Sequence, residues 1–337
     1  MIDSQIARVE AGNDLSMEEM AETMGLIMQG NCAEEAIARL LVALHEKGET
    51  VAEVAGAAAA MRLEMTPIRT RHSMVIDVVG TGGDCSGTFN ISTAAAIVTA
   101  AAGVPVAKHG NRRFTSRSGS ADVLTELGVN IQADVACVER CLDELGICFC
   151  FAPLLHRAMR HVAPVRQRLG VPTIFNILGP LVNPARAPYQ LLGVGREELR
   201  PLLSGALALL GSKRVLVVHG ADGLDEVTLA AETHVTEAAD GQFREYVWQP
   251  GDFDLPASGR ECLLVDGPEQ SAELIRRVFR GEHGPPRDIV IANSAAALWI
   301  AGADDSLAAC AGRAADAIDS QAAAELLARL VERTNRN

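Results

Sequence analysis

A short apolar run, Val75–Val79, ends in Gly80-Thr81-Gly82-Gly83-Asp84 and gives way to a helical stretch, Ile91–Ala102. A strand that turns on glycines into a helix needs a crossover before the next strand, which points to a parallel sheet. The pattern recurs. Val104–Ala107 reads as a second strand, followed by a polar loop from Lys108 to Ser118 and a helix near Ala121–Leu127. Ile147–Phe151 and Val215–His219 read as further buried strands with helical patterns between them. Aromatic residues make up only 4% of the chain, so the core must be built from Ala, Val, Leu and Ile. That suits helices laid on a parallel sheet. From Val227 to Val247 short alternating runs are broken by Ala-Asp-Gly, which predicts a hairpin at the sheet edge. From about residue 269 the chain reads as Ala-rich helix.

Residues 1–65 show no strand pattern. Ser16 with Glu19 and Thr50 with Glu53 have the spacing of capping boxes, and Gly48 follows the amphipathic run Glu34–Lys47 as a C-cap. The expected architecture is therefore α/β in two parts. A small all-helical N-terminal domain covers 1–68, with a segment near 162–188 returning to it. A larger α/β domain, 69–337, has a mostly parallel central sheet flanked by helices.

Glycines at a strand-to-helix turn let backbone approach a ligand, and free N–H groups at the helix start attract phosphate. Without a ligand the same turn is an ordinary connection. The spacing fits neither a dinucleotide fingerprint nor a Walker loop. Asn90, Ser92 and Thr93 stand at the opening of the next helix, where one polar side chain suffices for a cap. The loop from Lys108 to Ser120 adds Lys108, Arg112, Arg113 and Arg117. Such a run is either a solvated surface or an anion clamp at the carboxyl end of a parallel strand. Asp225 and Glu226 follow the strand ending at His219; adjacent carboxylates are either solvated or ligands for Mg²⁺. Arg166 reads as a structural ion pair or a fork for a carboxylate. His109, His156 and His161 show no metal-ligand spacing and read as hydrogen-bonding or packing residues.

The formal net charge of −13 argues against general nucleic-acid binding. The eight cysteines lack CxxC pairs and read as reduced thiols, Cys148 and Cys150 facing one side of a strand. No secretory signal or long apolar span is visible, so a cytoplasmic protein is expected.

Taken together, Gly80–Asp84, Thr88–Thr93, Lys108–Arg112 with Ser116–Asp122, His161–Arg166, Asn176–Pro184 and His219–Glu226 resemble the anthranilate phosphoribosyltransferase family in order and spacing. The resemblance runs over nearly the whole chain. It implies transfer of phosphoribosyl from 5-phosphoribosyl 1-pyrophosphate to the amine of anthranilate, in tryptophan biosynthesis. It also implies that Gly80, Gly83, Asp84, Thr88, Asn90, Ser92, Thr93, Lys108, Ser116 and Ser120 bind the sugar diphosphate. Gly80, His109, Asn111 and Arg166 would contact anthranilate. Ser92, Asp225 and Glu226 would hold Mg²⁺. No residue is implied as a general acid or base, with Lys108 and Arg166 in supporting electrostatic roles. A homodimer through the helical part is implied too.

Arg113-Phe114-Thr115, Cys85 and Ser294 depart from the family's usual residues. Two rivals share the architecture. A pyrimidine-nucleoside phosphorylase would carry a different loop from Lys108-His109-Gly110-Asn111-Arg112, and a nucleic-acid-binding relative would carry a basic face and lack the acid pair.

Overall fold

The computed structural model describes residues 2–82, 86–112 and 118–336. Its N-terminal part consists of helices Asp3–Glu10, Met17–Met28, Glu34–Lys47 and Val51–Glu64. Both capping boxes form. The Ser16 hydroxyl accepts from the Glu19 N–H while the Glu19 carboxylate accepts from the Ser16 N–H, and Thr50 with Glu53 does the same. Gly48 ends its helix at φ +87°, a conformation that costs glycine nothing. Glu53 does more than cap. It is fully buried, accepts the Leu15 N–H at 3.0 Å, and pairs with Lys47 at 3.0 Å. One carboxylate thus fastens the entries of two helices to the end of a third.

The remaining chain is organised on a seven-stranded sheet in the order β3-β2-β1-β4-β5-β6-β7. The strands are β1 Ile76–Gly80, β2 Val106–Gly110, β3 Ile147–Phe151, β4 Tyr189–Gly193, β5 Arg214–Gly220, β6 Thr233–Ala239 and β7 Gln242–Trp248. Strands β1 to β5 run parallel; β6 and β7 form the antiparallel edge hairpin. Asp240 and Gly241 turn that hairpin with positive φ of 50° and 72°.

Two features differ from the sequence reading. Strand β2 continues through Lys108 and His109, which pair with Phe149 and Cys150 of β3 and are buried. The polar loop therefore begins after Gly110. Strand β4 lies next to β1 at the centre of the sheet, in a stretch read as helical. Its Leu191-Leu192 pair has no alternation because both faces are covered.

Side-chain alternation divides the core along the sheet. Val78, Leu191, Leu216, Val218 and Val235 face the helix Ile91–Ala101 and the C-terminal helices. Leu192, Val194, Val215, Val217 and Ala238 face the N-terminal helices together with helices Ala163–Leu169 and Leu199–Leu209. Cys148 and Cys150 point to one side of β3, their sulfurs 3.8 Å apart. No helix among the described residues is long and apolar enough to cross a membrane.

Candidate active site

The site begins where the sheet opens. Only Ile76 and Val106 are in register between β1 and β2, whereas β1 pairs with β4 along its whole length. Side chains take over the ladder groups that the parting strands leave unpaired, as buried backbone requires. Asp77 Oδ1 accepts the His109 N–H at 3.1 Å, and Asn183 Nδ2 donates to the Ala107 carbonyl at 2.8 Å. Lys108 turns into the gap, donating to the Val78 carbonyl at 2.7 Å and to Ser92 Oγ at 3.2 Å. Burial lowers the pKa of this lysine, against the opposing pull of Asp77, Glu226 and Asp225.

Beside the gap lies the glycine turn. The Gly82 N–H donates to Asp225 Oδ2 at 3.0 Å, and the Ser92 N–H donates to Glu226 Oε1 at 3.0 Å. The acids therefore stand against the turn and the N-terminus of helix Ile91–Ala101, where partial positive charge favours them. The fit is tight. A Cβ on Gly80 would come 2.5 Å from Asp225 Oδ2, and one on Gly193 would come 1.7 Å from the Asp225 carbonyl oxygen. Buried Asn293 secures the acids from behind by accepting the Val227 N–H and donating to the Val227 carbonyl, both at 2.9 Å.

Asn90 is the N-cap residue of that helix, yet its side chain makes no cap bond. It joins a loop to a helix instead: Asn90 Oδ1 accepts from Ser118 Oγ at 2.7 Å and from Ser271 Oγ of helix Pro268–Phe279 at 2.8 Å.

At the far end Arg166 stands on helix Ala163–Leu169, its guanidinium 5.5 Å from the Phe175 ring centroid and 3.4 Å from Asn176 Oδ1. Burial lowers its pKa. His109 Nδ1 donates to the Gly179 carbonyl at 3.1 Å, and His156 Nε2 lies 3.1 Å from His109 Nε2. Burial drives His109 well below the usual histidine range and His156 down to about 4, so both rings are neutral near pH 7.

These parts open on one cavity of about 400 Å³. Gly80, Thr88, Asn90, Ser92, Lys108 and Ser120 line it, as do His109, Asn111, Arg166, Asp225 and Glu226. Thr93 does not; it is 1% exposed within the helix. Gly83, Asp84 and Ser116 lie outside the described residues, as do Cys85 and Arg113-Phe114-Thr115. Ser294, the remaining departure, is absorbed by the fold: its hydroxyl donates to the Ala95 carbonyl at 3.3 Å. Sequence reasoning gave no role to Asp77, Gln190 or Asn293, nor to Asn183, although Asn183 lies in the Asn176–Pro184 stretch that carries the resemblance. Asp77 left one signal, a lone charge inside an apolar strand.

The acid pair has the donor set that Mg²⁺ prefers, one or two carboxylates completed by phosphate oxygens and water. No cluster of three or more His, Cys, Asp or Glu suited to a metal is gathered among the described residues. Asp225 and Glu226 would supply only part of a metal's shell, leaving the rest to phosphate oxygens and water.

Comparison with known proteins agrees in extent and shape. Residues 72–324 match the family described as "Glycosyl transferase family, a/b domain", and residues 4–64 match its helical bundle domain. The chain is 50% identical to anthranilate phosphoribosyltransferase of Rhodopirellula baltica over 97% of this chain and 96% of that one. The enzyme of that name from Thermus thermophilus superposes with a TM-score of 0.93 at 43% identity, covering 98% of this chain and 99% of that one. The Saccharomyces cerevisiae enzyme, solved in complex with PRPP and Mg, gives a TM-score of 0.90 at 26% identity over 99% of this chain and 97% of that one. It has also been solved with 4-fluoroanthranilate, with a TM-score of 0.88 at 25% identity over 98% of this chain and 97% of that one.

Proposed function

Since the chain belongs to the anthranilate phosphoribosyltransferase family, we infer that its large cavity seats sugar diphosphate and acceptor end to end. The protein transfers the phosphoribosyl group from 5-phosphoribosyl 1-pyrophosphate to the amine of anthranilate, giving N-(5-phosphoribosyl)anthranilate and pyrophosphate in tryptophan biosynthesis. In our reading Gly80, Gly83, Asp84, Thr88, Asn90, Ser92, Lys108, Ser116 and Ser120 take the sugar diphosphate. Thr93 supports them from within the helix. Gly80, His109, Asn111 and Arg166 take anthranilate.

An aromatic amine is neutral at pH 7 and already nucleophilic, so the chain has little need of a strong base. Its work is placement and charge stabilisation. Arg166 holds the acceptor by its carboxylate and turns the amine toward C1 of the ribose. The amine's electron pair forms the C–N bond as the C1–O bond to pyrophosphate breaks, and the proton released from the nitrogen passes to the departing diphosphate or to water. Lys108 faces the negative charge that leaves. Ser92, Asp225 and Glu226 would hold Mg²⁺, which when bound neutralises diphosphate charge. We further propose that activity depends on Mg²⁺, that two copies associate through the helical part, and that the enzyme works in the cytoplasm.

The observation that carries this reading is the convergence of the glycine turn, Lys108, the acid pair and Arg166 on one cavity. Its test is optical. Protein mixed with Mg²⁺, phosphoribosyl pyrophosphate and anthranilate should quench anthranilate emission with time, and removing any of the three small molecules should abolish the decay. A folded protein that leaves the emission constant at saturating substrates would overturn it.

A further inference from the structure

Beside His109 the cavity wall is formed by Gly179 and Pro180 of the turn Gly179–Val182, and that turn is held in an unusual way. Three consecutive carbonyls accept from three distant side chains. His109 Nδ1 on β2 donates to Gly179 O at 3.1 Å, Gln190 Nε2 on β4 to Pro180 O at 2.8 Å, and Arg62 Nε to Leu181 O at 2.8 Å. Arg62 comes from the N-terminal helix Val51–Glu64 and also donates to Leu210 O at 3.3 Å. His156 closes the set by engaging the second nitrogen of the His109 ring.

Gly179, Pro180 and His109 line the cavity; Gln190, Arg62 and His156 do not. Leu181 and Val182 anchor the far half of the turn in the core, whereas the half that faces the cavity leans on its carbonyls, since Gly179 has no side chain and Pro180 has no N–H. Both nitrogens of His109 are engaged, so its ring offers the acceptor a fixed wall and is not free to take a proton from the amine. Each donor lies in a buried or half-buried place where a lost partner leaves a carbonyl unsatisfied.

We propose that Gln190, Arg62 and His156 are positioning residues for the acceptor: through the Gly179–Leu181 carbonyls and His109 they set the wall against which anthranilate lies. Arg62 makes that placement depend on the helical part of the molecule. The proposal rests on the reading of the Arg166 end as the acceptor end.

The test measures KM for each substrate separately in Gln190→Met, Arg62→Met, Arg62→Lys and His156→Phe, with Arg166→Ala as control. Gln190→Met, Arg62→Met and His156→Phe should each raise the anthranilate KM about tenfold and leave the phosphoribosyl pyrophosphate KM within about twofold. Arg62→Lys keeps a donor for Leu181 O and should show a smaller rise. A parallel rise in both KM values, or an unchanged anthranilate KM in folded variants, overturns the proposal. So does insolubility of all four, because the contacts would then serve folding and not placement. If Arg166→Ala fails to raise the anthranilate KM selectively, the acceptor-end assignment falls. If it succeeds and the other variants show no selective rise, only the positioning claim falls.

Discussion

A buried carboxylate needs donors on both oxygens, and Asp77 has them on one. Its Oδ1 accepts the His109 N–H, while Oδ2 has no hydrogen-bond partner among the described residues. Burial pushes its pKa up to about 6, with the Asn183 amide, the Lys108 charge and the His109 N–H pulling the other way. The ordinary value is 3.8, so between the two values the native chain holds a proton that the unfolded chain has released. Stability from this group is full below the lower value and is lost as pH rises through the higher one. Asp77→Asn keeps an oxygen for His109 and removes the titration. Relative to wild type, the variant should gain roughly 3 kcal/mol between pH 4 and pH 7, an upper figure for a group coupled to Lys108. Urea unfolding of both proteins across that range checks it; a difference that stays flat with pH would refute the assignment. The strain is consistent with function. Above pH 6 the ionised Asp77 faces Lys108 and favours the ammonium form that a departing diphosphate needs.

At the scale of elements, the acid loop owes its position to glycines on neighbouring strands. Gly193 ends β4, and a methyl there would collide with the Asp225 backbone, which cannot swing aside as a side chain would. Gly193→Ala should therefore lower kcat by about a hundredfold and raise the Mg²⁺ concentration needed for half-maximal rate. Gly110→Ala should cost less, because its methyl would meet side chains, the Ser120 hydroxyl and the Phe149 ring at 2.9 Å, which can turn aside as backbone cannot. Rates measured against Mg²⁺ for both variants decide the point, and equal losses would argue against loop displacement. Asp225→Asn combined with Glu226→Gln should shift the same Mg²⁺ curve upward; an unmoved curve would remove the acid pair from the metal site. These elements also show what could be read in advance. The glycine turn, β3, the edge hairpin and both capping boxes were legible because local chemistry specifies each. Strand β4 was not, since Tyr-Gln-Leu-Leu-Gly has neither alternation nor β-branched residues and owes its state to neighbours on both sides. Lys108 and His109 read as loop because a polar side chain suggests solvent, whereas here β1 supplies a partner for Lys108 and the turn Gly179–Val182 supplies one for the His109 ring.

At the scale of the molecule, the two faces of the sheet are not equally self-sufficient. One face is covered by helices of the same α/β part. The other is covered jointly: Leu203, Ala206 and Leu207 of helix Leu199–Leu209 share a core with Val54, Ala58 and Met61 of helix Val51–Glu64 and with Val215 and Val217 of β5. Arg62 spans the same junction. A fully buried Leu or Val contributes about 1.5–3 kcal/mol, so stripping the helical part away exposes more apolar surface than a marginally stable chain can lose. Intact protein should therefore unfold in one calorimetric transition. A fragment of residues 69–337 should bind an apolar dye such as ANS and lose that sharp transition. Two well-separated transitions in the intact chain, or a fragment that melts sharply without binding dye, would show the parts to be independent. The Arg62 bonds to Leu181 and Leu210 would then link two parts that melt separately, and Arg62→Met would still be expected to act on anthranilate but not on the melting of the α/β part.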